Sequence, residues 1–533
     1  MGALTLKSFP FELRGWDIEK FESFDPTDSF GSNTRVYINK NQIVQIEPDY
    51  NIYNYNTWLT DKGRQFFDGI FGTWSISEKT EVQSESWFKL LNKMIKTIYI
   101  FDHCNKQNNK SYFFTIVFDN LSIEVLNILL FISQSYSFIK LRKVETLKTN
   151  VDLESDFQLN NVSNKIKLNS STLCLLISTN SRYEGYYLNL NLRQRILKGN
   201  FKCLVIGSLI NLTFPILFLG SNFNIIKYIT EGNNFICQDL KFSNNPFLIY
   251  SNELFKRNDS KSISETFKTL SYLHIFNKTW NGLNMLNSSI SDVGTQTLKQ
   301  IPRLMLKDLN NFSSLYFLNV TTNNVSNLKK ITELKLLKLT SVNKKQILDN
   351  KFFLDQNYKI NQNLLFSNKI LNNYSHIPNN TFYENEETFI NTEGFIKRTT
   401  KLISRKKSKN NWQILRKFLK YFKMKLTFLT QKDNQIIFFN SQKFYNFKNF
   451  LNFQFYATQT LTNLNFYLNI KNKPILLNKS ILNFKSKTKK CISTKLKYWL
   501  DDFFNGGKDE YSQNSIILAN CSKILRSEST SFF

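Results

Sequence analysis

A chain of 533 residues exceeds one ordinary core and sets an expectation of roughly two to four domains. Hydrophobic residues make up 41% and charged residues 21%, which excludes wholesale disorder. The formal charge of +29 is lysine-driven, Lys outnumbering Arg 57 to 13, while Ala occurs three times and Phe fifty. The abundant residues use AT-rich codons, so the excess lysine reads as the imprint of an AT-rich, organellar genome and does not by itself designate a nucleic-acid partner.

In chain order, Thr34 to Pro48 holds two β-branched runs flanking Asn39-Lys40-Asn41, the pattern of a hairpin. Asp61-Lys62-Gly63 then leads into a short helix, Arg64 to Ile70, expected to close at Gly69. Together these predict a small β-rich module over residues 1–80.

From 81 to 305, short apolar runs alternate with helix-length stretches. TIYIFD (97–102), YFFTIVFD (112–119), TLCLLIS (172–178), KCLVIGS (202–208) and FLIYS (247–251) have the length of buried parallel strands. Residues 122–139 and 186–198 have helical spacing. The rhythm predicts an α/β layered domain with a mainly parallel sheet, whose strand ends, such as Ile177-Ser178-Thr179-Asn180, are where ligands sit in such folds. The run 121–141 contains Glu124 and Asn127, so it reads as a buried amphipathic helix and not as a membrane span.

Residues 306–432 read as a second α/β region, clearest from Glu384 to Phe422, with a helix over Trp412 to Tyr421. Residues 433–533 are dominated by Phe, Asn, Leu and Lys and give weak signals. From Lys397 to Lys432 there are thirteen Lys and Arg and no acid; a solvated or subunit-facing surface explains this run better than a nucleic-acid site.

Catalytic signatures are missing. The six cysteines (104, 174, 203, 237, 491, 521) form no CxxC pair, and Cys174 and Cys203 sit inside apolar runs as buried free thiols. The three histidines are scattered. No dinucleotide glycine fingerprint, phosphate loop, nucleophile elbow or zinc-protease motif occurs. Site assignment is therefore: catalytic, none; cofactor-binding, none; metal, none.

Ordered motifs carry a resemblance. Gly2-Ala3-Leu4-Thr5, Trp16-Asp17-Ile18, Phe21-Glu22-Ser23, Asp28, Gly31-Ser32-Asn33, Trp58 to Gly69, Leu175 to Gly207, Pro246 to Asp259, Trp280 to Leu298, Glu384 to Thr400 and Asn514 to Leu525 fall in one register. In that register the chain resembles the carboxy-terminal, molybdopterin-oxidoreductase-like part of the large (75 kDa-type) iron-sulfur subunit of mitochondrial NADH:ubiquinone oxidoreductase, respiratory complex I.

The resemblance implies a molybdopterin-oxidoreductase-like multidomain α/β fold in a split, mitochondrially encoded chain that begins just past the family's last cluster cysteine. It implies a structural subunit on the matrix side of the inner membrane, without a redox cofactor of its own. Iron-sulfur clusters and FMN are expected in its partners: the cluster-bearing amino-terminal fragment of the same subunit, the flavoprotein and other peripheral-arm subunits. No nucleic acid and no direct membrane span are expected. Gly31, Ser32, Asn33, Arg182, Glu184, Glu393 and Gly394 are then expected in turns and buried polar contacts, among them a buried Arg182–Glu184 or nearby carboxylate pair. Departures from the family are Ser178 and Ser181 for Gly and Pro and Phe395 for Arg, tolerable if the loops no longer cradle a ligand; the missing glycine at Ser178 disfavours a pterin there. Two other classes stay open at this point: an active molybdopterin-dependent oxidoreductase, and a basic organellar RNA-binding or ribosomal protein.

Overall fold

The computed structural model describes residues 13–49, 58–79, 113–144, 165–208, 211–272, 282–297, 312–319, 380–393, 395–403 and 410–421, with short or single positions at 92, 280, 301–302, 304, 359–362, 375–376, 515–518 and 520. The strand expected at 97–102 lies outside them.

The amino-terminal module is an antiparallel sheet in the order β1 (Glu19–Phe24), β2 (Asn33–Asn39), β3 (Gln42–Pro48). The expected hairpin is present. Lys40 and Asn41 both take positive φ, 44° and 72°, the two-residue turn whose twist matches paired strands. Val36, Ile38 and Ile46 alternate inward.

Helix α1 runs from Asp61 to Lys79, so Gly69 does not end it as expected. An interior glycine costs a helix about 1 kcal/mol, and Phe66, Phe67 and Ile70, buried in the module's core, offset it. That core is completed from far away by Ile290, Tyr383, Phe389 and Ile403.

Among the described residues, two five-stranded, all-parallel sheets form the body. The first has the order β5 (Ile139–Lys143), β4 (Phe113–Phe118), β11 (Phe312–Leu318), β12 (Lys359–Gln362), β13 (Ser375–His376). The second has the order β8 (Leu217–Gly220), β7 (Lys202–Ile206), β6 (Leu173–Ile177), β9 (Phe247–Ser251), β10 (Leu283–Leu286). The chain enters the first sheet, leaves to build the second entirely, then returns through β11, which pairs in parallel with β4. The first sheet thus continues past residue 305.

In each sheet the strand order reverses once, between β4 and β11 and between β6 and β9. Loops leaving neighbouring strands there diverge and open a crevice at the carboxyl ends. Strands β6 and β9 are buried at every position, as expected where helices cover both faces.

Helix α2 (Ile123–Ser135) buries Ile128, Leu129 and Ile132 in a core shared by residues of both sheets. Helix α3 (Tyr186–Leu197) packs on the other face of the second sheet with Cys174 and Cys203. Among the described residues no helix is long and apolar enough to cross a membrane. The hairpin β14 (Thr388–Ile390) and β15 (Ile396–Arg398) follows, and the helix expected from Trp412 is found at Asn411–Tyr421, with Ile414, Leu415 and Leu419 inward.

Candidate functional site at the facing strand ends

The carboxyl ends of the two sheets meet in a junction of short polar side chains. Asn120, just past β4, is its pivot. Its Oδ1 accepts hydrogen bonds from Ser291 Oγ at 2.8 Å and Ser289 Oγ at 3.3 Å, both beyond β10, and its carbonyl accepts one from Asn319 Nδ2 at 3.1 Å, beyond β11.

Asp292, in the short helix Ser291–Thr297, gathers the rest. Its Oδ2 accepts from Asn252 Nδ2 (3.1 Å), Ser288 Oγ (3.0 Å) and the Ser289 N–H (3.2 Å), and its Oδ1 faces Lys143 Nζ at 3.2 Å. Burial alone would raise this carboxyl, but the positive charges of Lys143 and Lys256 outweigh it, and with the hydrogen bonds they hold Asp292 well below the usual carboxylate range. Lys143 also donates to Thr295 Oγ1 at 2.9 Å.

Several polar atoms here are buried without a hydrogen-bond partner among the described residues: Thr179 Oγ1, Asn180 Oδ1, Asn252 Oδ1, Asn287 Nδ2 and Gln296 Oε1. The Asn252 and Gln296 amide nitrogens are engaged by Asp292 and Asn287, which fixes their free oxygens as acceptors. Ordered water satisfies such atoms in folded proteins.

Sequence reasoning located only Ile177 to Asn180 of this junction. Asn120, Asn252 and Asn287 share the one signal available, a polar residue just past an apolar strand. The Lys143–Asp292 pair, 149 positions apart, leaves no local trace.

A second polar cluster joins residues 25–33 to 391–397. The Thr392 N–H and Oγ1 both donate to the Ser29 carbonyl at 3.0 Å, Asn391 Nδ2 donates to the Phe30 carbonyl at 2.9 Å, and Lys397 Nζ donates to Asn33 Oδ1 at 2.8 Å. Asp28 accepts from Ser32 Oγ at 2.7 Å. Burial, with Asp25 nearby, pushes the Asp28 carboxyl up to about 7, and burial pulls Lys397 down to about 8 against the opposing pull of Glu393 and Asp28.

Gly31, Ser32, Asn33 and Glu393 therefore converge as expected; Gly394 lies outside the described residues. Arg182 and Glu184 stand on the turn Ser181–Glu184. Both are half-buried, while Ser181, which opens the turn, is fully buried. Arg182 donates to the Asn211 carbonyl at 3.2 Å, and the Asn180 N–H donates to Glu184 Oε2 at 3.2 Å.

Nested parallel sheets whose strand ends converge on one polar junction, with an antiparallel amino-terminal module, define an α/β protein built from two doubly wound layers. The family model for molybdopterin oxidoreductase matches residues 83–421, and the chain belongs to that family. The chain is 31% identical over 310 residues to the NADH-ubiquinone oxidoreductase 75 kDa subunit of Reclinomonas americana, covering 56% of this chain and 45% of that one. It is 26% identical over 306 residues to the mitochondrial NADH-ubiquinone oxidoreductase 78 kDa subunit of Neurospora crassa (55% and 40%). To the mitochondrial NADH dehydrogenase [ubiquinone] iron-sulfur protein 1 of Solanum tuberosum it is 22% identical over 316 residues (57% and 41%). The chain spans a little under half the length of these curated relatives.

A family of this name raises the question of a pterin cofactor, and the described residues do not fit one. At the β6 loop, where the backbone would have to approach closely, Ser178 carries a side chain at φ 51°. The crossing between the sheets is closed by the 2.8 Å bond from Ser291 to Asn120. The nearby cation Lys143 is already engaged by Asp292. Among the described residues no group of three or more His, Cys, Asp and Glu is placed to hold a metal.

Proposed function

We propose that this chain is a structural component of the NADH-oxidising arm of respiratory complex I. In this reading it docks on a separate fragment bearing iron-sulfur clusters and supports electron transfer from NADH to ubiquinone without binding a redox cofactor itself. FMN and the clusters belong to its partners, the flavoprotein among them, and the assembly sits on the matrix side of the mitochondrial inner membrane. The chain makes no membrane span and contacts no nucleic acid.

The observation that carries the reading is the similarity over more than 300 residues to subunits named for NADH-ubiquinone oxidoreductase. Two features support its structural side. The strand-end junction is bridged by its own side chains, and the aromatic residues of the strands, such as Phe114, Phe118, Phe247 and Tyr250, are core and offer no stacking platform for RNA bases.

Native-gel separation of inner-membrane complexes followed by mass spectrometry tests it. The chain should migrate with the flavin-bearing NADH-oxidising subunit, and the isolated polypeptide should contain no stoichiometric iron, molybdenum or pterin. Migration with ribosomal subunits, or recovery of pterin from this chain alone, would sink the reading.

A further inference from the structure

Hairpin β14–β15 stands between the amino-terminal module and the body. Successive residues of β14 face opposite ways: Phe389 packs in the module's core, and Ile390 in the core that α2 shares with both sheets. At one end the Thr388 N–H donates to Glu124 Oε2, in the first turn of α2, at 3.1 Å. At the other end the turn and β15 grip the loop before β2, through the bonds from Thr392 to Ser29, from Asn391 to Phe30 and from Lys397 to Asn33.

These contacts enclose more acid than base. Glu124 and Glu387 at the first end, and Asp25, Asp28 and Glu393 at the second, are buried, and the base buried with them among the described residues is Lys397. The other charges around the hairpin are engaged elsewhere or reach water. Arg398 of β15 is partly exposed, pairs with Glu386 and attracts Glu124 from there. Asp292, in the short helix beside β14, is held by Lys143, Glu384 accepts from the Thr381 N–H, and Arg35 of β2 pairs with Asp49. On β1, which touches β15, Glu22 is half-buried and Glu19 and Lys20 are exposed. Burial keeps Tyr186 and Tyr187 of α3, beside Asp28 and Glu393, as neutral phenols.

Buried negative charge in excess of its partners is relieved when carboxyls keep their protons. Burial, then the Glu124 charge, holds Glu387 protonated up to about 8, and burial, then Asp25, holds Asp28 protonated up to about 7. Lys397, lowered to about 8 by burial, acts with the opposite sign, between that value and its ordinary 10.5.

We propose that hairpin β14–β15 is a proton-linked clasp, which holds the amino-terminal module on the body while carboxyls at both its ends are protonated and opens, ahead of the sheets, as they ionise. Opening exposes Glu387 and Asp28 to water, where their ordinary values are 4.5 and 3.8. Wherever the open form has released a proton that the closed form keeps, each such group multiplies the open fraction roughly tenfold per pH unit.

Hydrogen exchange resolved by residue, on the full chain from about pH 5.5 to 7.5 with each rate divided by its intrinsic value, tests the proposal. Protection of the Thr388 and Thr392 amides should fall at least roughly tenfold per pH unit, and at every pH these amides should exchange ahead of Leu175 and Leu176 in β6. The double variant Asp28→Asn, Glu387→Gln should keep both hairpin amides protected and insensitive to pH over this range. Hairpin protection that does not change with pH in the native chain overturns the clasp. So does exchange of the hairpin in step with β6, which would mean that it opens only when the whole fold does, and so does an undiminished slope in the folded double variant. Should that variant not fold, the native chain's own series decides.

Discussion

Lys143 and Asp292 join the two parallel sheets across 3.2 Å: one is the last residue of β5 in the first sheet, the other lies just past β10 in the second. Both side chains are about nine-tenths buried. A buried pair adds little over an apolar pair, but removing one partner strands a charge, at a cost of roughly 3–5 kcal/mol. Lys143→Met alone should therefore destabilise strongly, and adding Asp292→Asn, which removes the stranded charge and keeps an oxygen for the donors at Asn252, Ser288 and Ser289, should recover part of the loss. Urea midpoints of the three variants check this; a double variant no better than the single would show that the pair does not act as a unit.

The same pair has an acid signature. Asp292 is depressed in the folded chain, so its contribution is fully present above the ordinary carboxylate value and disappears as pH falls through the depressed one. Acid unfolding of the native chain should begin below about pH 4, and Asp292→Asn should remove that part of the dependence.

Glu387 has the opposite sign. Burial, reinforced by the neighbouring Glu124 carboxylate, raises it from 4.5 to about 8. Between those values the folded chain keeps a proton that the unfolded chain has released, so stability falls as pH rises, by up to about 1.4 kcal/mol per pH unit for one such group. Asp28, raised from 3.8 to about 7, adds to the trend in its lower part. Glu387→Gln keeps the oxygen that accepts from Asn385 Nδ2 at 3.3 Å and should flatten the slope between pH 5 and about 8. Denaturant midpoints across this range decide it, and an unaltered slope would place the proton elsewhere.

Much of the body is legible in the sequence, because it is written in local pattern. YFFTIVFD, TLCLLIS, KCLVIGS and FLIYS are strands since only a strand buried on both faces needs so unbroken an apolar run. Helix α1 is longer than its sequence suggests because a glycine within a helix and a glycine ending one look alike in sequence; burial of Ile70 beside Gly69 decides, and burial is tertiary. The nesting of one sheet in the other was illegible for the same reason. It depends on β4 pairing with β11, about 200 residues away, which no window of local spacing can register. At the junction, the loop after β6 was found from its strand, whereas Lys143 and Asp292 acquire meaning only when the sheets face each other.

Gly31 tests whether the amino-terminal module is held in place by its turn. It sits at φ 58°, and a Cβ there would stand 2.5 Å from Ile290 Cδ1, in the loop beyond β10, and 3.4 Å from Lys397 Cγ. Gly31→Ala combines left-handed strain, about 1–2 kcal/mol for a residue with a side chain, with displacement of Ile290. The melting temperature should fall by several degrees. Ile290→Ala in the Gly31→Ala background relieves the contact but opens the module's core, so it should restore little.

Cys174 and Cys203 stand opposite each other on β6 and β7, both buried, with Cys174 the more strongly enclosed. Burial, then the adjacent Cys203, pushes the Cys174 thiol well above its ordinary value, so almost none of it is thiolate near neutral pH. Thiolate is the reactive species, and reagent must also reach it. Cys237 is only partly buried and should react first of these three with a maleimide in the native chain. Peptide mapping after a short pulse at pH 8 should find Cys237 labelled and both strand cysteines intact, with all three labelled in urea. Serine at 174 should be costly, because a hydroxyl buried among Leu176, Phe247 and Ile249 brings a polar group into an apolar layer, whereas alanine there loses only the volume of one sulfur. Native labelling of Cys174 as fast as Cys237 would mean that the second sheet opens far more readily than its packing implies.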